Sequence, residues 1–124
     1  MNVLFCFLLM LFCHVFDDFF LQNCLSDLKT RVFWSKWTQE NSRYKNDYIA
    51  ALIMHSISWS FMIMLPLAIR YSFSVPILFG ILFIVNVAIH AYVDNLKANK
   101  YKINLIQDQS IHILQIILTF LILI

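Results

Sequence analysis

Three pairs of residues, His14–Asp18, His90–Asp94 and Asp108–His112, share one spacing: an imidazole and a carboxylate four positions apart. On a helix such a pair lies on one face, with Cβ atoms about 5–6 Å apart. His55 completes the set, and the chain has no other histidine. Neutral imidazoles and carboxylates are ligands for divalent first-row cations such as Zn, Mn or Fe. An aspartate one turn from a histidine can instead orient that ring. The set predicts a metal site with its supporting groups, mononuclear or dinuclear, drawn from His14, Asp18, His55, His90, Asp94, Asp108 and His112. A cation with an open position activates water. Asp18, Asp94 and Asp108 are then also candidate catalytic carboxylates, and Gln22, Lys97 and Gln109 are candidates for orienting a substrate. Asp17 falls off the His14–Asp18 face. Two other readings use the same residues: hydrogen-bonded glue between helices, or a proton or ion path. No P-loop, GxSxG or HExxH stands beside them to support another reaction class.

The elements that carry these residues are apolar. Hydrophobic residues make up 61% of the 124 and charged residues 13%, against roughly 45–50% and 25% in a soluble domain. Four runs, at about 3–25, 48–69, 75–96 and 103–124, each approach the 20 residues or so that cross a bilayer as a helix. The expected fold is a single all-α membrane domain, a bundle of four transmembrane helices. The basic stretch 26–47, with Trp34, Trp37 and Tyr44 interleaved, is expected to be an interfacial loop or short helix. No Lys or Arg precedes the first run and no small-x-small site follows it, so it reads as a retained helix rather than a cleaved leader. Cys6 and Cys13 sit about 10 Å apart on such a helix, too far to pair, and with Cys24 they read as apolar filler.

The loops predict an orientation. Lys29, Arg31, Lys36, Arg43 and Lys45 lie between runs one and two, and Lys97, Lys100 and Lys102 between runs three and four. With four crossings these loops share a side, and only Arg70 lies on the other. The positive-inside rule puts the basic loops in the cytoplasm, the termini outside, and the chain in a cell's inner membrane. A net charge of +2 is too small to suggest a nucleic-acid partner. The order within the pairs then becomes informative. Runs one and three head toward the basic side with His before Asp, while run four heads away with Asp before His. All three pairs therefore put the carboxylate nearer the basic side and the imidazole deeper. Substrates within reach would be lipid headgroups or phosphorylated small molecules.

At these residues the sequence resembles a known family. The segments HVFDDFFLQ (14–22), FWSKW (33–37), His55–Ser56, HAYVDNLK (90–97) and QDQSIH (107–112) are similar, in order, to small bacterial and phage membrane proteins filed as domain of unknown function 3307. The pairing of Asp17 with Asp18 and the absence of a Gly in the first motif depart from that pattern. The resemblance implies an integral membrane protein and no particular reaction. A looser likeness is to small bacterial membrane proteins labelled metal-dependent hydrolases.

Overall fold

The computed structural model describes residues 1–124 and is all-helical. Helix α1 (Val3–Phe16) runs into a π-helical turn at Asp17–Leu21. Two short helices follow, α2 (Leu25–Leu28) and α3 (Arg31–Glu40), then a 3₁₀ turn at Ser42–Asn46. The long helices α4 (Asp47–Arg70), α5 (Ile77–Ala98) and α6 (Leu105–Leu123) complete the chain. Four segments are long and apolar enough to cross a membrane: Val3–Leu21, Ser42–Arg70, Ile77–Ala98 and Leu105–Leu123. In the bundle, α4 packs between α1 and α5, and α6 packs against α5 and α1.

Local chemistry sets the ends of these helices. Asn2 caps α1 by accepting a hydrogen bond from the Leu4 amide (2.8 Å), and Thr30 caps α3 through Phe33. Asn104 and Gln107 form a reciprocal capping box at the start of α6. The first span closes at Leu21 rather than near Leu25, because Asn23 takes a left-handed conformation (φ 34°) and turns the chain. Asparagine tolerates that region better than most residues. Ser72 (φ 52°) and Phe73 (φ 61°) make the reversal from α4 to α5.

The four long segments share a pattern. Each buries one stripe at helical spacing: Cys6, Met10, His14 and Asp17 on the first; His55, Trp59, Ile63 and Leu67 on α4; Asn86, His90 and Asp94 on α5; Asp108, His112, Ile116, Thr119 and Leu123 on α6. The apolar part of these stripes forms the core around Met10, Trp59, Ile63, Met64 and Ile116. The outer faces show the reverse of a water-soluble protein. Phe5, Leu8, Phe12, Phe20, Ile84, Leu114 and Leu121 are all exposed. Lipid is as apolar as these side chains, so helices in it associate through close packing and interhelical hydrogen bonds.

The basic segment 26–47 folds back over one end of the bundle. Asn99, just past α5, accepts a hydrogen bond from the Arg31 amide (2.7 Å) and donates to the Lys29 carbonyl (3.0 Å). Arg31 bonds the Tyr48 hydroxyl (2.6 Å), and Trp34 donates to the Leu28 carbonyl (2.7 Å). These ties anchor α2 and α3 to the end of the bundle where α5 stops and α6 starts.

Burial of the cysteines gives a direct check. Cys6 and Cys13 are buried and Cys24 is exposed. A maleimide should modify Cys24 alone in native micelles and all three thiols after denaturation, read by intact mass. Fast native labelling of Cys6 or Cys13 would be incompatible with this packing.

Candidate metal centre

The buried stripes bring every intramembrane His and Asp to one level. The four rings meet around Trp59: its indole stacks on His90 (centroids 4.2 Å apart), which stacks on His112 (4.1 Å), while His55 lies 5.0 Å from His90. Trp59 Nε1 donates to His14 Nδ1 (2.9 Å), fixing that ring. All four histidines and Asp17, Asp18, Asp94 and Asp108 are buried.

The Nε2 atoms of the other three rings point at carboxylates. His55 Nε2 lies 3.2 Å from His90 Nε2, 3.4 Å from Asp18 Oδ1 and 3.5 Å from Asp94 Oδ2. His90 Nε2 is 3.9 Å from Asp18 Oδ1 and 3.8 Å from Asp94 Oδ1. His112 Nε2 is 3.4 Å from both Asp94 Oδ1 and Asp108 Oδ1. Two trios have ligand atoms close enough to share an ion, Asp18–His55–His90 and His90–Asp94–His112, and His90 belongs to both. His14 and Asp108 flank these trios. His14 approaches Asp18 Oδ2 (3.7 Å), and Asp108 pairs with Lys97.

Asp17 does not point away from the cluster. Residues three and four past His14 flank its face of the helix, and both aspartates face inward. Immediately after them the Gln22 amide reaches back five residues to the Asp17 carbonyl (3.0 Å), widening the turn. Ser58 Oγ donates to Asp17 Oδ1 (2.6 Å), and Asp17 Oδ2 faces His55 Nδ1 at 3.7 Å. Neither of those facing atoms has a hydrogen-bond partner. Such single-turn π insertions recur at functional sites.

The sequence reading also missed Lys29, which it assigned to the basic loop. Lys29 is buried and its ammonium reaches Asp94 Oδ2 (2.5 Å) and Gln22 Oε1 (2.8 Å). No helical periodicity runs across the break at Asn23, so spacing gave no signal for it. For Ser58 and Trp59 a signal did exist, because they follow His55 by three and four residues. Gln22, Lys97 and Gln109 are at the cluster too. Gln22 donates to the Asp18 carbonyl, Lys97 to Asp108, and Gln109 bridges Asp18 Oδ2 and Asp108 Oδ2 (3.0 Å each).

No family model, curated protein or solved structure matches this chain.

The Lys29–Asp94 pair is the most testable contact. Removing one partner of a buried ion pair leaves an uncompensated charge and costs about 3–5 kcal/mol. Lys29→Met should therefore destabilise the fold by about that much, and adding Asp94→Asn should recover most of the loss, as measured by denaturant unfolding in micelles. Additive losses would mean that the two groups do not interact.

Proposed function

We propose that the chain is a multi-pass membrane protein that holds one divalent cation in this cluster and uses it to hydrolyse a membrane-proximal substrate. The observation that carries the reading is the convergence of three imidazole Nε2 atoms and two carboxylates. Neighbouring donor atoms within the two trios lie 3.2–3.9 Å apart, bracketing the roughly 3.3 Å between ligand atoms of a tetrahedral ion bound at about 2.0–2.1 Å. With its proton on Nδ1, His55 faces Asp17, the arrangement in which a carboxylate orients a metal-bound ring. Its Nε2 lone pair then points at His90 Nε2 and at carboxylate oxygens, a pocket that suits a cation. Charge supports the same reading. Four carboxylates face two ammonium groups, those of Lys29 and Lys97. With neutral imidazoles that leaves two negative charges in excess, the amount one divalent ion cancels.

A nitrogen lone pair serves one ion. His90 is common to both trios, so the arrangement favours a single ion over a dinuclear site. The proposed ligands are His90 with either Asp18 and His55 or Asp94 and His112. His14 and Asp108 support them, and Asp108, whose Oδ1 has no hydrogen-bond partner, is the proposed general base. A bound cation would polarise a substrate or lower the pKa of water. The cluster leaves Asp17 Oδ2, Asp108 Oδ1 and three ring nitrogens without hydrogen-bond partners, a cost that a bound ligand and its ordered rings would offset. The positive-inside rule favours an inner-membrane setting with the basic loops cytoplasmic, and so a site near that face. The likeness to domain of unknown function 3307 fits the membrane setting.

Elemental analysis of the purified protein tests the metal. We expect one equivalent of zinc, manganese or iron per chain, lost in His90→Ala and kept in His14→Ala. Asp17→Asn should weaken the affinity about 10–100-fold, the usual effect of removing a group that orients a ligand. Metal-free protein that stays folded, and takes up none of these ions on titration, would overturn the reading.

A further inference from the structure

A small pocket of about 90 Å³ opens directly onto the carboxylate side of the cluster. Its walls are Asp18, Phe19, Gln22, Lys29, Asp94, Lys97, Leu105 and Gln109. We infer that this pocket binds a phosphate group, held by Lys29, Lys97 and Gln22 beside the metal ligands, so that the substrate of the proposed hydrolase is a phosphoric ester.

Hydrogen-bond bookkeeping leads there. An ammonium has three donors and an amide nitrogen two. Lys29 spends two of its donors, on Asp94 and Gln22. Lys97 spends one, on Asp108, and Gln22 spends one, on the Asp18 carbonyl. One N–H of Lys29, two of Lys97 and one of Gln22 are left for a ligand. Gln109 has spent both of its own on Asp18 and Asp108. The unspent groups are donors on positive or amide nitrogens, which select an anion with several acceptor oxygens. The volume is room for a few waters, and so for a tetrahedral oxyanion. Each proposed ligand set includes Asp18 or Asp94, which both line the pocket, so a phosphate there lies against the cation.

The rim bears on where the phosphate comes from. Phe19 and Leu105 flank the pocket, and both are exposed apolar residues of membrane-spanning segments. A headgroup could enter between them with its chains still in the bilayer. A soluble phosphate would use the same donors, so the shared chemistry is the phosphate group itself. The inference rests on the metal reading for its electrostatics. Without a cation the carboxylates outnumber the lysines, and a bound divalent ion removes that excess. Metal and phosphate should therefore bind cooperatively, and by linkage each should tighten the other by the same factor.

The test uses the full chain in phosphatidylcholine nanodiscs, with metal loading measured first. Inorganic phosphate is titrated by calorimetry into metal-loaded and metal-free protein. The Mn²⁺-loaded form is also examined by ³¹P relaxation, which reports phosphate close to the ion. We expect phosphate to bind about tenfold or more tightly to the loaded form. Lys97→Met and Lys29→Met should each weaken binding about tenfold, the worth of one charge-assisted hydrogen bond, with metal stoichiometry unchanged. Lys97 is the more exposed of the two side chains (29% against 7%), so its variant remains informative if Lys29→Met unfolds. Nanodiscs containing phosphatidic acid separate the sources. Enhanced ³¹P relaxation of that lipid, with no response to inorganic phosphate, assigns a lipid headgroup, and the converse assigns a soluble ester. Metal-loaded protein that binds neither, or binds them equally well in both lysine variants, overturns the phosphate pocket and leaves the metal reading standing. Lysine-dependent phosphate binding by a protein that takes up no metal keeps the pocket and removes the metal reading.

Discussion

Charge buried at membrane depth must be compensated where it sits. Each ionised group there costs about 2.5–3.5 kcal/mol or more, and this chain places four aspartates in one layer. Much of the rest of the architecture answers that constraint. Lys29 and Lys97 swing in from the basic end to pair with Asp94 and Asp108. Ser58 and Gln109 donate to the remaining oxygens. The basic segment is folded back by Asn99, Arg31 and Trp34, and that fold holds Lys29 in place. The loop is thus part of the site and not merely a connection between two spans.

The same constraint divides the bundle along its length. From Trp59 toward Leu67 on α4, and from Met10 toward Cys6 on α1, the interior is apolar and close-packed. Between α5 and α6 a second polar contact, Asn86 with Thr119 (2.9 Å) and Gln115 (2.8 Å), ties the helices in that apolar half. Those groups are neutral, pair with each other, and resemble the interhelical hydrogen bonds that hold membrane bundles together. The His/Asp layer differs in kind. It is charged, and it draws in Lys29 from outside the four long segments. One chain therefore displays both uses of intramembrane polarity, and the contrast identifies which layer is the functional candidate.

The sequence revealed the fold class because two strong signals coincide in it: apolar runs of bilayer length, and paired polar residues at helical spacing. The i, i+4 rule transfers directly to the buried faces of α5 and α6, since both helices are regular through the pairs. It failed at two places. At Asp17, counting only i, i+4 passed over the i, i+3 neighbour of His14, which shares the buried face. At Asn23 the left-handed residue breaks the phase, so that Lys29 could not be related to Asp94 by counting. Both failures lie between His14 and Lys29, the stretch with the densest chemistry. Local rules are least reliable where function bends the chain, because there tertiary contacts override the propensities on which such rules rest.

Asp17 bears most directly on what the cluster is for. Asp17 lies three residues past His14 and Asp18 four, so the regular helix α1 already carries both to its inward face. Asp17 Oδ2 has no hydrogen bond and lies 3.7 Å from His55 Nδ1. Helix assembly gains nothing from that oxygen. A ring whose other nitrogen must present its lone pair to a cation gains its tautomer and its orientation. The buried Asp17 carboxylate is therefore better explained by what His55 has to do than by what holds the helices together.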